Sequence, residues 1–164
     1  MRSKAMVLRV FCVLVVLAVP LVVCEDDSAG AIMTNTIKNI IFCKKEHNAT
    51  RDDYDAIRKS RVPQTDEGKC FMACIFEKFH VTRGGKYSAD SFAKVVIELY
   101  KDELQKRERA LEMVQDCGIQ LADEWGGTAE KCSYPAKVME CIASYTSRIP
   151  IVKDFLKYQK SVEA

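Results

Sequence analysis

The chain has 164 residues, of which 48% are hydrophobic and 29% are charged, with a formal net charge of +2. Seven glycines and four prolines are spread along it without repeats, linkers or low-complexity segments. This composition is typical of one compact globular domain with its own core, and it excludes a repeat architecture.

The first residues have the pattern of a secretory signal peptide. Three basic residues among the first nine precede an apolar run at residues 10–19, which Pro20 interrupts. A transmembrane anchor is the alternative, but this run is shorter than the ~20 residues that a membrane span needs. We therefore predict cleavage near Cys24, which leaves residues 1–24 as signal peptide and residues 25–164 as one secreted domain.

Removal of the signal peptide changes the sign of the net charge. It takes away three of the 25 basic residues and no acidic ones, so 22 bases face 23 acids and the net charge becomes −1. No run of five or more basic residues is left, and nucleic acid is therefore not an expected partner.

The first half of the secreted domain is predicted to be helical. It shows no sustained two-residue alternation, and capping residues are repeatedly followed by periodic apolar positions. A first helix reaches Cys43 with isoleucines at Ile32, Ile37, Ile40 and Ile41. Thr50 is the predicted N-cap of a second helix, which ends before Pro63, and Thr65 is the predicted N-cap of a third.

The second half continues the helical pattern. Gly84-Gly85 marks a turn before a fourth helix that begins near Ser88. A fifth, more polar helix begins with residues 101–117 and has an apolar line of Leu111, Val114, Cys117 and Leu121. Pro135 suits the first turn of a sixth. Residues 147–164 form a C-terminal tail whose apolar side chains are Ile151, Val152, Phe155 and Leu156.

Eight cysteines divide into two that leave with the signal peptide and six that remain. The six are Cys43, Cys70, Cys74, Cys117, Cys132 and Cys141. An even number in a small secreted domain predicts three disulfides.

Cys70 and Cys74 lie one turn apart with nearly parallel side chains, and Cys132 and Cys141 are about 13 Å apart along a helix at ~1.5 Å per residue. Both bonds are therefore excluded, which leaves ten of the fifteen connectivities open.

The same cysteines argue against metal binding and redox chemistry. Zinc sites bring ligands in close pairs, whereas the later cysteines are 14 and 8 residues apart and His47 and His80 form no pair. A thioredoxin-like motif needs two residues between its cysteines after a strand, and here three residues separate Cys70 from Cys74 inside a helix. No metal or cofactor is expected.

The sequence also contains no catalytic motif that we recognise. Neither histidine has the neighbours that a secreted phospholipase needs, and no Gly-x-Ser-x-Gly motif occurs. The adjacent cysteine pair of plant lipid-transfer proteins is missing as well. We therefore expect no catalytic residues and no enzyme activity.

The cysteine spacing, Cys43-x26-Cys70-x3-Cys74-x42-Cys117-x14-Cys132-x8-Cys141, resembles that of the insect odorant-binding proteins, the pheromone and general odorant-binding proteins. Three residues between the second and third cysteines and eight between the fifth and sixth are the most constant features of that family. The resemblance covers the secreted domain from its first helix to its last.

The resemblance implies a fold, a pairing and a function. The fold is all-α, with about six helices held by three disulfides around an internal hydrophobic cavity. The implied bonds are Cys43–Cys74, Cys70–Cys132 and Cys117–Cys141. The implied function is that of an extracellular carrier for a small hydrophobic ligand such as an odorant or pheromone, in sensory lymph or another body fluid. A membrane odorant receptor is the further partner that it suggests, and the protein is expected as a monomer or weak homodimer.

The predicted ligand-binding residues are apolar positions on the later helices and the tail. They are Phe71, Ile75, Phe92, Val96, Leu99, Leu111, Val114, Val138, Ile142 and Phe155. Ordinary core packing is the alternative for each of them. A hydroxyl that orients the ligand is predicted from Tyr100, Tyr134 or Tyr145, and Trp125 is predicted to plug a loop.

Four further questions stay open at the level of sequence. The tail is either a lid over the cavity or a surface helix. His47 and His80 are the only histidines that could make ligand release depend on pH. Asn48 begins a sequon for N-glycosylation. The alternative function is a secreted helical protein that acts through a protein partner, and this function predicts an exposed apolar patch.

Overall fold

The computed structural model describes residues 35–124 and 132–162, with side chains to residue 157. The predicted signal peptide, Ile32, Trp125 and Gly126-Gly127 lie outside the described residues. Seven helices and one hairpin are present among the described residues: α1 (Thr36–Glu46), α2 (Arg51–Arg58), α3 (Asp66–Lys78), β1 (Thr82–Arg83), β2 (Lys86–Tyr87), α4 (Ala89–Leu99), α5 (Leu104–Gln120), α6 (Tyr134–Ser144) and α7 (Ile151–Val162). The all-α prediction is confirmed, with seven helices where about six were expected.

Threonine side chains begin the second and third helices, as predicted. Thr50 Oγ1 accepts a hydrogen bond from the backbone N–H of Asp53 at 3.2 Å, and the Asp53 carboxylate accepts one from the backbone N–H of Thr50 at 2.9 Å. This reciprocal pair is a capping box. Thr65 Oγ1 accepts from the backbone N–H of Gly68 at 2.9 Å. Each threonine thus satisfies a helix N–H that would otherwise lack a partner.

The carboxylate of Asp53 also joins these two helix starts to each other. Its Oδ1 accepts a hydrogen bond from Thr65 Oγ1 at 2.7 Å, and the residue is only 3% exposed. Burial acts to raise the pKa of Asp53, but the hydrogen bonds from Thr50 and Thr65 outweigh it and lower the pKa below its usual value.

The chain reverses at the predicted Gly84-Gly85 turn. Both glycines have positive φ angles, 59° and 80°, which suit a residue without a Cβ atom. Two-residue strands flank the turn and pair in antiparallel register. These strands were not predicted, because two residues are too few to show an alternating pattern. Glu77 holds the turn by accepting hydrogen bonds from the Thr82 hydroxyl at 2.9 Å and from the Gly84 N–H at 2.7 Å.

The fifth helix differs from its predicted start. The pattern predicts a helix that begins with residues 101–117, whereas α5 runs from Leu104 to Gln120. The N–H of Glu103 donates to the carbonyl of Tyr100 at 3.0 Å, so a turn occupies the residues between α4 and α5. The α5 helix therefore starts three residues later than predicted, and it ends next to Leu121, the last residue of the predicted apolar line.

Three disulfides tie the helices together. Cys43–Cys74 joins α1 to α3 with a Cα–Cα distance of 5.6 Å. Cys70–Cys132 joins α3 to the segment before α6 at 4.6 Å, and Cys117–Cys141 joins α5 to α6 at 5.8 Å. These are the pairs that the family resemblance implies, and each Cα–Cα distance lies within the usual range for a disulfide.

Candidate functional site

An apolar cleft lies between the helices and the tail. Its volume is about 100 Å³. Fourteen of its sixteen lining residues are apolar: Ile40, Ile57, Ile75, Phe76, Phe79, Val81, Phe92, Val95, Met139, Ile142, Ile151, Val152, Phe155 and Leu156. Tyr54 and Arg58 of α2 are the two polar members. With α1, α2, α3, α4, α6 and α7 all contributing, the cleft is a meeting point of most of the described fold.

The helical period places these side chains on the cleft. In α7 the four apolar tail residues stand at positions i, i+1, i+4 and i+5, which form one face of a helix. In α4, Phe92 and Val95 are three residues apart and lie on one face in the same way. One apolar stripe per helix is enough to line a shared space from several sides.

The tail helix covers the cleft and is attached by specific contacts. Phe155 meets Phe79 edge to face, with ring centroids 4.8 Å apart. The hydroxyl of Tyr100 donates to Asp154 Oδ2 at 3.1 Å, and the Lys106 ammonium lies 3.3 Å from the same oxygen. All four apolar tail residues line the cleft. The tail therefore packs against the cleft, and polar contacts hold it there; whether it acts as a lid stays a prediction.

The cleft is smaller than the few hundred Å³ expected of a ligand cavity. The Phe79–Phe155 ring contact closes the space at that point, which is one physical reason for the difference.

Ten residues were predicted to bind the ligand, and the structure brings four of them to the cleft. These four are Ile75, Phe92, Ile142 and Phe155. The other six lie away from it: Phe71, Val96, Val114 and Val138 are at most 1% exposed in the core, Leu99 is buried and Leu111 is half-buried. The structure places Val95 in the cleft lining, where Val96 was predicted. Adjacent residues of a helix point about a quarter turn apart, so the two valines do not face the same space.

The three tyrosines predicted to orient a ligand have other partners. The hydroxyl of Tyr145 donates to Asp116 at 2.7 Å, and that of Tyr134 accepts from the backbone N–H of Tyr87 at 3.3 Å. Burial, reinforced by the charge of Asp154, raises the pKa of Tyr100, so this hydroxyl stays protonated in its bond to that carboxylate. None of the three lines the cleft.

Sequence reasoning did not identify Tyr54 and Arg58, the polar residues that do line the cleft. Both belong to α2, where they are one turn apart on the same side of the helix. Arg58 stands in the last turn, where a basic residue is favoured by the helix dipole, and nothing in its sequence context distinguishes it from a solvated charge.

The remaining predicted positions lie outside the cleft lining. His47 follows α1, and His80, with a positive φ of 56°, follows α3; neither lines the cleft. Asn48 is exposed between α1 and α2 in a left-handed conformation that asparagine tolerates. Its glycosylation stays a prediction.

Two further features of the described residues concern metal binding and membrane insertion. In residues 35–124 and 132–162, no group of three histidine, cysteine, aspartate or glutamate side chains is placed to hold a metal ion. None of the helices in this part of the chain has the length and apolar character to cross a membrane.

The chain is similar to known proteins in its amino-acid sequence. The model of the PBP/GOBP family matches residues 31–145. General odorant-binding protein 19d of Drosophila melanogaster is 28% identical over 97 residues, which cover 56% of this chain and 65% of that protein. The chain thus spans just under two thirds of the length of this relative. No solved structure matches.

The family match includes the whole disulfide framework. All six paired cysteines, from Cys43 to Cys141, fall inside the matched residues. The match covers well over half of the chain and contains every helix before the tail among the residues that the structure describes. The protein therefore belongs to the PBP/GOBP family, the insect odorant-binding proteins.

Proposed function

We propose that this protein is a secreted extracellular carrier that binds and solubilises a small hydrophobic molecule in the cleft beneath the tail helix. The observation that carries the proposal is the lining of the cleft, in which fourteen of sixteen residues are apolar. The family match and the name of the Drosophila relative, an odorant-binding protein, support the same ligand class.

The energetics favour an apolar ligand at this position. The lining of the cleft is apolar surface that water contacts unfavourably when no ligand is bound. An apolar ligand replaces part of this unfavourable contact with its own contacts to the lining. The three disulfides hold the surrounding helices in place and limit collapse into the space.

Secretion and partners belong to the same proposal. The pattern of residues 1–24 supports export through a cleaved signal peptide, into sensory lymph or another body fluid. Three disulfides in one small domain suit an oxidising compartment. Interaction with a membrane odorant receptor, and a monomeric or weakly dimeric state, remain parts of the proposal that need separate experiments.

The test is displacement of a neutral fluorescent apolar probe from the oxidised, signal-cleaved protein. We expect saturable binding at one site with micromolar affinity, and loss of binding after reduction of the disulfides. Val152→Phe places a ring in the cleft from the tail and should weaken probe binding at least tenfold. Ile119→Phe is the matched control, because Ile119 is 77% exposed on α5 and lies outside the cleft.

A second variant that fills the cleft keeps the test valid if the first variant misfolds. Ile142→Phe fills the cleft from α6, and circular dichroism checks that each variant keeps its helix content. If the probe does not saturate, or if it binds both folded filling variants as tightly as the parent, the carrier proposal is wrong.

One observation favours a second candidate function, action through a protein partner. Three large apolar side chains of α1 are exposed: Ile37 by 42%, Ile41 by 61% and Phe42 by 51%. Neighbouring exposed apolar residues are typical of a binding surface. A lack of saturable probe binding would favour this candidate and direct attention to α1.

A further inference from the structure

The apolar cleft lies beside an outer groove. The groove has a volume of about 380 Å³ and shares Ile40, Tyr54, Arg58 and Leu156 with the cleft. These four residues stand where the two spaces adjoin, so a ligand that outgrows the cleft has the groove next to it.

The two spaces differ in size and in chemistry. The cleft holds about 100 Å³, less than the roughly 300–1,000 Å³ of a typical small-molecule site. A ligand of ordinary size that places its apolar end in the cleft must therefore place the remainder in the groove. There it meets the exposed side chains of Ile37 and Ile41, and also a charged rim.

The two charged residues that line the groove are both basic. Lys44 and Arg58 line the groove, and none of the acidic residues that the structure describes lines either the groove or the cleft. Within residues 35–124 and 132–162, the Lys44 ammonium makes no ion pair. Arg58 has one ion pair, in which its Nε lies 3.7 Å from Asp55 Oδ1, and its side chain is 54% exposed.

This geometry leaves the donors of Arg58 largely available. A guanidinium has five N–H donors in a planar fork that matches a carboxylate or phosphate in two parallel hydrogen bonds. The long, exposed contact with Asp55 involves the Nε end, so the two terminal nitrogens can meet a ligand anion.

Tyr54 adds a hydroxyl at the same junction. It lines both the cleft and the groove, one helical turn from Arg58. Within the described part of the chain, its hydroxyl makes no hydrogen bond. Tyr54, Arg58 and Lys44 thus all line the groove, whose other lining residues are apolar.

We propose that the ligand of this cleft is an anionic amphiphile, an alkyl chain that ends in one carboxylate, sulfate or phosphate group. The inference rests on the proposed carrier function and names the ligand class of the same site. The chain lies among the apolar residues of the cleft, and the head group lies in the groove against Arg58, Lys44 and the Tyr54 hydroxyl.

The experiment compares ligands that differ only in the head group. Decanoate, decyl sulfate, decyl phosphate and 1-decanol each displace the neutral probe from the oxidised protein at pH 7.5, below the concentrations at which they aggregate. We expect the dissociation constant of at least one anion to be about three- to tenfold lower than that of the alcohol, as an exposed charge-assisted contact allows. The three anions show which head group fits, and higher salt should reduce the preference.

Two variants locate the effect. Arg58→Gln, alone or with Lys44→Gln, should bring the ratio of alcohol to anion dissociation constants close to one. Arg109→Gln is the matched control, because Arg109 is an exposed arginine of α5 outside both spaces, and it should leave the ratio unchanged.

The outcomes separate this inference from the proposed function. If the probe and the alcohol bind but no anion binds better, the anionic head group is wrong and the carrier function stands. A preference that survives in the double variant also overturns the inference, because the charge would then act from elsewhere. If the probe itself does not saturate, both proposals fail.

Discussion

The hydroxyl of Tyr100 donates a hydrogen bond to Asp154 across 54 residues of chain, and this bond links the end of α4 to the tail helix. Asp154 also meets Lys106 of α5, and the Lys106 ammonium lies 5.7 Å from the Tyr100 ring centroid. The tail thus has a polar attachment on one side and the apolar cleft on the other.

Removal of this hydroxyl should loosen the tail. Tyr100→Phe deletes the donor to a carboxylate that is 18% exposed, and we expect a loss of about 1–2 kcal/mol in the free energy of unfolding. Amide hydrogen exchange should become faster in Ile151–Val162, measured by mass spectrometry of peptides from α7.

Tyr87→Phe is the control for this change. It removes a buried hydroxyl that donates to the Val114 carbonyl at 2.9 Å, far from the tail in sequence. It should lower stability and leave exchange in α7 as it is in the parent. Unchanged α7 exchange in Tyr100→Phe would show that the apolar contacts alone hold the tail.

The Asp53 carboxylate should make stability depend on pH in acid. Its pKa is lower in the folded protein than the ordinary value of 3.8, so its stabilising effect is complete above that value and disappears as the pH falls through the folded pKa. At pH 7, Asp53→Asn should lower the free energy of unfolding by about 1–3 kcal/mol. The difference between parent and variant should shrink below about pH 4, as measured by urea unfolding from pH 7 to pH 2.

Asp52→Asn tests whether charge alone explains that result. It removes the same charge from the same helical turn, but Asp52 is exposed and is not part of the capping box. Its effect should stay within about 0.5 kcal/mol at every pH. If the difference in the free energy of unfolding between the parent and Asp53→Asn were constant across the pH range, the ionised Asp53 carboxylate would not be what stabilises the cap.

Local features of the fold could be predicted from the sequence, because their causes are local. Thr50 and Thr65 act on N–H groups three residues away, and the Gly84-Gly85 turn depends on the freedom of two adjacent residues. The contacts of Asp53 with Thr65 and of Glu77 with Gly84 cross between elements, and no periodic pattern reports them.

The candidate site was harder to predict than the fold. Val95 and Val96 both belong to the apolar side of α4, and the packing of the helices around α4 decides which of them reaches the cleft. Arg58 looks like an ordinary basic residue at the end of a helix, and only the structure shows that it lines both the cleft and the groove. Such positions depend on the arrangement of several helices, which a single sequence does not specify.

Gly68→Ala should destabilise the protein, although alanine is normally the better helix former by about 1 kcal/mol. A Cβ atom at this position would lie 2.6 Å from both Asp53 Cγ and Pro63 Cβ. We expect a loss of about 1–3 kcal/mol, because the carboxylate or the proline must move. Gly118→Ala is the matched control, since its Cβ would meet Ala89 Cβ at an ordinary 3.4 Å and should be neutral or slightly stabilising. Equal effects of the two substitutions on urea midpoints would refute the steric argument.

Phe155→Ala should convert part of the tail contact into space that a ligand can use. Loss of the edge-to-face contact with Phe79 should lower the free energy of unfolding by about 1–3 kcal/mol, less than for a fully buried phenylalanine because Phe155 is half-buried. A small aromatic ligand such as benzene should then raise the melting temperature of the variant more than that of the parent, because binding to the folded state alone stabilises it. Phe42→Ala is the control, since Phe42 is 51% exposed on α1 and does not line the cleft, and benzene should not rescue it. Equal benzene shifts in the parent and both variants would mean that Phe155 does not limit the space under the tail.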